Sequence, residues 1–362
     1  MHFFPSIEKA YTQDHLGACE AQRLAEYIAF GPVVFQVSRL MLKLGILEML
    51  RETPATTAEI AQKTGLSIYA AKILLEASLS IGTVIIDKED KFHLTKTGWF
   101  LLTDTATKVN MDFNQDVNYL GLFHLEESLK EGRPAGLAQF GSWPTIYEGL
   151  ASLPEQAQKS WFGFDHYYSD NSFEDALKIV FSYQPGKILD VGGNTGRFAQ
   201  RCVAKDPAVE VTVADLPQQI GLMKKAIADN PEAGRIHGIE MNLLDPSCTF
   251  PQGLQPDILW MSQFLDCFGE EQIVSILRRA AKVMAPHARL LIMETLWDRQ
   301  KYETAAFCLT LTSVYFTALA NGNSKMYHSE DLVRLVDAAG LQVEQIHDNL
   351  GLGHSILVCK IK

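Results

Sequence analysis

The run Ile188-Leu-Asp-Val-Gly-Gly-Asn-Thr-Gly196 sets a carboxylate, Asp190, two residues ahead of the first of three glycines, Gly192, Gly193 and Gly196. Glycine lets backbone approach a ligand closely, and the free amides that open a helix attract an anion. A dinucleotide cradle uses the spacing GxGxxG and faces a pyrophosphate. Here Asp190 would repel phosphate but can hold an ammonium group, as an amino-acid ligand requires. The alternative is a glycine turn made only for tight strand–helix packing. Asp215 closes the next apolar run (VTVADLP), followed by Leu216. An α/β nucleotide site places a carboxylate on a ribose diol at that point, although an acid there also serves as a simple cap. Together the glycine turn and Asp215 describe an adenosine bearing an amino-acid tail, and S-adenosylmethionine fits that description.

These residues need a sheet to hold them. From residue 186 onward, short β-branched runs alternate with helical segments: KILDVG, VEVTVAD, IHGIEMN, DILWMSQ, ARLLIMET, LQVEQIHD and HSILVCKI. Strands alternating with crossover helices imply a mostly parallel α/β sheet. The last two runs, separated by a Gly-rich turn, imply an antiparallel hairpin at one edge. Ligands of such sheets bind at the carboxyl ends of the strands.

The preceding chain reads differently. Residues 20–50 are apolar on nearly every side of a helical wheel, so that helix must be buried in its own domain or against a partner chain. TTAEIAQKTGLSIYAAKILLEASLSIGTVII reads as two helices, with Thr57 ahead of the first and Ser67 capping the second. VIIDKEDKFHLTKTGWFLL then alternates and turns at Lys88-Glu89-Asp90, a β-hairpin. Helix, turn, helix and hairpin make a winged-helix arrangement. A DNA-reading helix needs exposed cations, and Ser67 to Gly82 offers only Lys72, offset by Glu76. Residues 105–180 are helical and rich in Trp, Phe and Tyr, either as core or as a lid over a flat apolar ligand. We therefore divide the chain into a dimerisation domain (1–105), a helical linker and lid (106–180) and a ligand-binding catalytic domain (181–362).

Composition narrows the partners. With 32 basic against 43 acidic residues, the 362-residue chain carries a formal charge of −11. That field disfavours nucleic acid and anionic membrane. The six cysteines form no CxxC pair and the ten histidines no ligand cluster, which argues for reduced thiols in a cytoplasm and against bound metal. MHFFPSIEKAYTQDHLG lacks the pattern of a secretory signal. Thr304 to Ser324 is uncharged for about the length of a membrane span, but its hydroxyls and Asn-Gly-Asn end favour a buried helix.

LGILEML through HLTKTGWFLL, then ESLKEGRPA, LDVGGNTG, VADLP, DILWMSQFLDCFGEEQ, LLIMET and GHSILVCKIK occur in an order that resembles the S-adenosylmethionine-dependent O-methyltransferases of the plant-type and bacterial small-molecule class. The resemblance spans nearly the whole chain. It implies an α/β, class I methyltransferase Rossmann-like sheet with an antiparallel C-terminal hairpin, preceded by a helical winged-helix dimerisation domain. It also implies a small hydroxylated acceptor, aromatic rings among the candidates; the bulky apolar helices of residues 20–50 in turn predict a homodimer whose N-terminal domains interlock and reach the partner's active site.

Carried over by position, the resemblance puts the methionine end at Gly192 and its neighbours and the ribose on Asp215. Asn242 and Leu243 take the adenine positions, where the family commonly has Gly-Asp-Met/Phe, and Ser262, with Gln263 beside it, stands where plant members often carry Lys. The family's general base is a His in a His-Asp-Trp triplet; this chain has Asp266-Cys267-Phe268 there. Glu294 matches the acid that braces the base. Two carboxyls together would repel and lift one pKa into a useful range. The other use of Asp266 is to cap the helix GEEQIVSILRRAAKVM. The family's second bracing acid falls at Met326. Phe164 and Tyr168 match the positions that clamp an acceptor ring, and Phe268 and Phe307 could complete the wall, although packing would explain each. His166 and His328 are spare bases. Two further readings remain: a cofactor-binding relative with atypical chemistry or no methyl transfer, and a transcriptional regulator, disfavoured by charge.

Overall fold

The computed structural model describes residues 2–362, which divide into two compact units, Asp14–Gln115 and a larger one made of residues 2–13 together with Asp116–Lys362.

In the smaller unit, helices Ala18–Ala29, Gly31–Lys43 and Ile46–Glu52 lead into a helix–turn–helix, Thr57–Thr64 and Ile68–Ile81, bent by 119°. Thr56 caps the first of this pair through a reciprocal bond with Glu59, one residue earlier than the sequence suggested. Ser67 caps the second as expected, its hydroxyl accepting from the Ala70 amide at 3.1 Å. Strands β1 (Val84–Ile86) and β2 (Phe92–Leu94) form the hairpin. The chain then turns helical at Lys96–Thr103, because the Thr95 hydroxyl accepts from the Gly98 amide and starts a helix. Met41, Ile46, Leu47, Ile60, Leu75 and Phe92 form the core. No residue of helix Ala18–Ala29 is buried, and Leu24, Ile28, Phe30 and Val33 are at least half exposed. On helix Ile68–Ile81, Lys72 pairs with Glu76 at 3.7 Å while Ile68 and Tyr69 stand exposed, an apolar face with no surplus of cations.

The larger unit holds a seven-stranded sheet in the order β5-β4-β3-β6-β7-β9-β8. Its strands are β3 (Lys187–Val191), β4 (Glu210–Asp215), β5 (Ile236–Glu240), β6 (Ile258–Ser262), β7 (Arg289–Glu294), β8 (Leu341–Leu350) and β9 (His354–Ile361). All seven expected runs are strands. The first five are parallel, and β9 returns antiparallel between β7 and β8. Helices cover both faces, which is why β6 and β7 read as unbroken apolar runs: Trp260 and Met293 pack into one face, Met261 and Ile292 into the other. Trp260 stacks on Phe198 with ring centres 4.4 Å apart.

Two sequence-based boundaries differ. Residues 2–13 join the larger unit, where the Phe4 amide donates to the Asp298 carbonyl at 3.0 Å and Phe3 and Tyr11 pack on Trp297. Of residues 106–180, expected as a helical linker and lid, 106–115 fall in the smaller unit and 116–180 in the larger, which there has helices Leu125–Glu131, Glu155–Asp170 and Phe173–Ser182. Among the described residues one helical stretch, Glu303–Ala320, is long and apolar enough to cross a membrane; Ala306, Leu309, Tyr315 and Phe316 on it are buried within the protein.

Candidate active site

Asp190 lies near the end of strand β3, only 2 % exposed, and its Oδ2 has no partner. Burial, and then the charge of Asp215, push its carboxyl up to about 8. The turn that follows needs its glycines for reasons internal to the chain. Gly192 has φ 76°, and a Cβ there would meet the Phe264 ring at 2.2 Å; Gly196 has φ 75° with Met223 at 2.8 Å. Gly193 is different in kind: a Cβ would sit 2.6 Å from Asp190 Oδ2, directly on the unpartnered carboxyl oxygen. Packing therefore explains the glycine turn by itself, but it does not explain a buried acid with nothing to bond.

Asp215 ends β4 beside this turn. Its Oδ2 accepts from the Asn194 amide at 2.8 Å and its Oδ1 from the Leu216 amide at 2.7 Å. Burial still outweighs these bonds and lifts its carboxyl to about 6. Beyond β5, Met241 and Leu243 are buried and Asn242 is exposed, its side-chain oxygen accepting from the Leu244 amide at 3.0 Å. Arg279, a buried cation invisible to motif reading, holds this segment by donating to the carbonyls of Leu243, Asp245 and Cys248. Ser262 ends β6. Gln263 follows at φ 46°, its side-chain oxygen turned to the fully buried His354, which also meets the Ser172 hydroxyl at 2.7 Å. Burial drives the His354 pKa down to about 3, so the ring is neutral.

The strand ends of β6 and β7 bring Asp266 and Glu294 together. Asp266 sits in the short turn Leu265–Cys267, 4 % exposed, and burial lifts its carboxyl to about 7. Glu294, 3 % exposed, accepts at Oε1 from the amides of Phe264 (3.1 Å) and Leu265 (2.8 Å), while Oε2 has no partner. Burial first and the Asp266 charge second hold Glu294 well above the usual carboxylate range. Glu294 thus ties down the turn that presents Asp266. The helix-cap use of Asp266 does not occur: helix Glu270–Ala281 is capped at Gly269, whose amide donates to the Gln272 side chain at 2.9 Å.

Tyrosine hydroxyls lie close to Asp266. Tyr147 and Tyr315 both feel the Asp266 charge, and the Trp161 indole donates to the Tyr315 hydroxyl at 2.8 Å. Phe268 is buried against Phe264, and Phe164 and Tyr168 lie with ring centres 5.0 Å apart on helix Glu155–Asp170. Met326 is buried and accepts from the Thr295 hydroxyl, one residue past Glu294. Phe307 does not complete that wall; it is 57 % exposed, because Ala306 and Leu309 take the buried side of its helix. His328 is not a spare base either: it caps helix Ser329–Ala338 through Nδ1 and meets the His2 carbonyl through Nε2. His166 keeps Nε2 buried and unpartnered, and burial lowers its pKa. Motif reading passed over Asp165, whose carboxyl accepts from the Asn194 side chain at 3.5 Å and senses Asp266. Among the described residues no His, Cys, Asp or Glu side chains gather as a metal site.

A sequence profile of the O-methyltransferase domain matches residues 126–342, and one of a Dimerisation2-like domain matches residues 22–92. The chain belongs to the O-methyltransferase family. Among its relatives, the O-methyltransferase SfmM3 of Streptomyces lavendulae is 24 % identical over 345 residues, covering 87 % of this chain and 93 % of its own. The 2,7-dihydroxy-5-methyl-1-naphthoate 7-O-methyltransferase of Streptomyces carzinostaticus is 26 % identical, covering 81 % and 84 %. The mitomycin 7-O-methyltransferase MmcR shares the fold, with a TM-score of 0.71 at 19 % identity over 95 % of this chain and 98 % of that one. The class I methyltransferase fold and the helical N-terminal domain inferred from the motifs are thus both present.

Proposed function

We propose that this protein transfers a methyl group from S-adenosylmethionine to an oxygen of a small hydroxylated aromatic acceptor, with Asp266 as the base. Support for the cofactor comes from the Asp190 oxygen, buried without a partner beneath Gly193, and from Asp215 at the adjoining strand end. An ammonium fits the first and a ribose diol the second. A structure of the fold relative NcsB1 was determined with S-adenosylmethionine and a hydroxynaphthoic acid.

When bound, S-adenosylmethionine supplies an electrophilic methyl on a positively charged sulfur. Asp190 and the turn at Gly192, Gly193 and Gly196 would hold its amino-acid end, and Asp215 with Leu216 its ribose. Asn242, Leu243, Ser262 and Gln263 would line the adenine. Asp266 then accepts the acceptor's hydroxyl proton at a carboxyl oxygen. Burial raises its pKa to about 7, which leaves it basic enough to take that proton as the oxygen reacts. Glu294 positions the turn. Phe164, Tyr168, Phe268 and Met326 would exclude water and hold a flat ring, which favours reaction through near-attack geometry.

The exposed Leu24, Ile28, Phe30 and Val33 support a homodimer through the N-terminal unit. Six free thiols support a cytoplasmic setting. The carrying observation is the Asp266–Glu294 pair at the ends of β6 and β7. Its test is methyl transfer from labelled cofactor to a panel of phenols, naphthols and hydroxylated carboxylic acids; cofactor binding without transfer to any acceptor would refute the assignment.

A further inference from the structure

Asp165 stands where the two halves of the candidate site meet, and nothing in the reaction as derived above uses it. It comes from helix Glu155–Asp170 and lies half-buried. On one side its Oδ2 accepts from the Asn194 side chain at 3.5 Å, while the Asn194 backbone amide is bonded to Asp215. On the other side it interacts with the charge of Asp266. The other charges that face it are Asp170 and Arg197; the Tyr315 hydroxyl lies within its field. Arg197 is the one cation in this set, and it is taken up by Asp170, to which its Nε donates at 2.9 Å. Two further polar atoms at the site point to a missing ligand: Asp190 Oδ2, in a side chain only 2 % exposed, and the Asn194 side-chain oxygen, both without partners.

In S-adenosylmethionine the charged sulfur joins the amino-acid tail to the ribose and directs its methyl toward the acceptor. Given the assignment of Asp190, Asp215 and Asp266 above, on which this step rests, that sulfur falls between the glycine turn and Asp266. We propose that Asp165 is a cofactor-binding carboxylate that faces the sulfonium and makes the protein favour charged S-adenosylmethionine over its neutral demethylated product, S-adenosylhomocysteine. An unbalanced carboxylate beside the reacting centre attracts the cation and loses that attraction once the methyl has left, so product is released readily. Burial and the charges of Asp266 and Asp170 push its carboxyl up to about 7 without ligand. Both compounds draw a proton off Asp190 through their common ammonium, but only the sulfonium also favours the ionised form of Asp165, so S-adenosylmethionine binding releases more protons near neutrality than product binding does, and the preference for it grows as pH rises.

The experiment is titration calorimetry of the full chain with each compound from about pH 5.5 to 8.5, in two buffers of different ionisation enthalpy. Expected for the wild type is a preference for S-adenosylmethionine of about tenfold at the upper pH, shrinking toward parity at the lower. Asp165→Asn abolishes most of that preference while S-adenosylhomocysteine binds within about twofold of the wild type. Asp266→Asn keeps the preference and moves its midpoint to lower pH. Equal binding of both compounds by the wild type at every pH, or an Asp165→Asn variant that retains the preference, overturns the proposal. Should Asp165→Asn fail to fold, the wild-type pH series and the Asp266→Asn midpoint shift decide the matter. Failure of both compounds to bind at every pH would instead overturn the underlying cofactor assignment, and the proposal with it.

Discussion

Asp190→Asn separates what the buried acid costs the folded protein from what it does for the ligand. The carboxyl goes from an ordinary 3.8 to about 8 on folding, chiefly through burial. A raised pKa in an acid means that the folded state binds the proton more tightly than the unfolded chain. The associated stability is fully present below about pH 4 and is lost as pH rises through about 8. At about 1.4 kcal/mol per pH unit, the wild type forfeits about 2 kcal/mol by pH 5.5 and about 5 kcal/mol by pH 8, so about 3 kcal/mol disappears across that interval. The asparagine has no such titration. It carries a pH-independent penalty for an unpaired buried amide, about 1–3 kcal/mol, which cancels when the two pH values are compared. Calorimetric melting without ligand should therefore show the variant gaining on the wild type by several degrees between about pH 5.5 and 8. Titration with S-adenosylmethionine should show its affinity falling at least about tenfold, since the ammonium loses its counter-charge. A difference in melting temperature between variant and wild type that is the same at both pH values would refute the account of Asp190, whatever the binding result.

Asp266→Asn should lower kcat by about 10²–10³ with little change in cofactor affinity, and wild-type kcat/KM should rise with pH through about 7, because the base must be ionised; single-turnover assays across pH check both. Gly193→Ala places a methyl 2.6 Å from Asp190 Oδ2, so calorimetry should find cofactor binding lost while circular dichroism stays native. Phe307→Ala removes a ring that is 57 % exposed and should leave kcat/KM within about twofold, as steady-state kinetics will show. Ile28→Asp charges a side chain that is 72 % exposed; light scattering should report a dimeric mass for the wild type and a monomeric one for the variant.

The residues alone determined the periodic and the locally constrained features. Seven short runs became seven strands, the inner ones continuously apolar because helices cover both faces and the edge strand β8 alternating because it is half exposed, and the Gly-rich turn between the last two set their antiparallel return. Local chemistry also showed through at Ser67, where a hydroxyl three residues from an amide is a cap wherever the helix is placed. Asp190 and Asp215 could be singled out because strand ends fall at predictable places in an alternating α/β chain, whereas Glu294 was marked only by the resemblance to the family. What the tertiary structure decided were choices between uses that a residue type leaves open. Asp266 could cap a helix or serve as an acid, and only the three-dimensional path, with Gly269 closed by Gln272 and Glu294 gripping the turn, freed it from capping. Phe307 and His328 had suitable side chains but fell on the wrong side of a helix or into a cap. Asp165 lay hidden in an aromatic run with no spacing to mark it, since its partners, Asn194 and Asp266, are distant in sequence and meet only when helix Glu155–Asp170 packs over the ends of the strands. Burial then completed what chemistry alone could not, because the same aspartate titrates near 4 in water and near 7 or 8 where water is excluded.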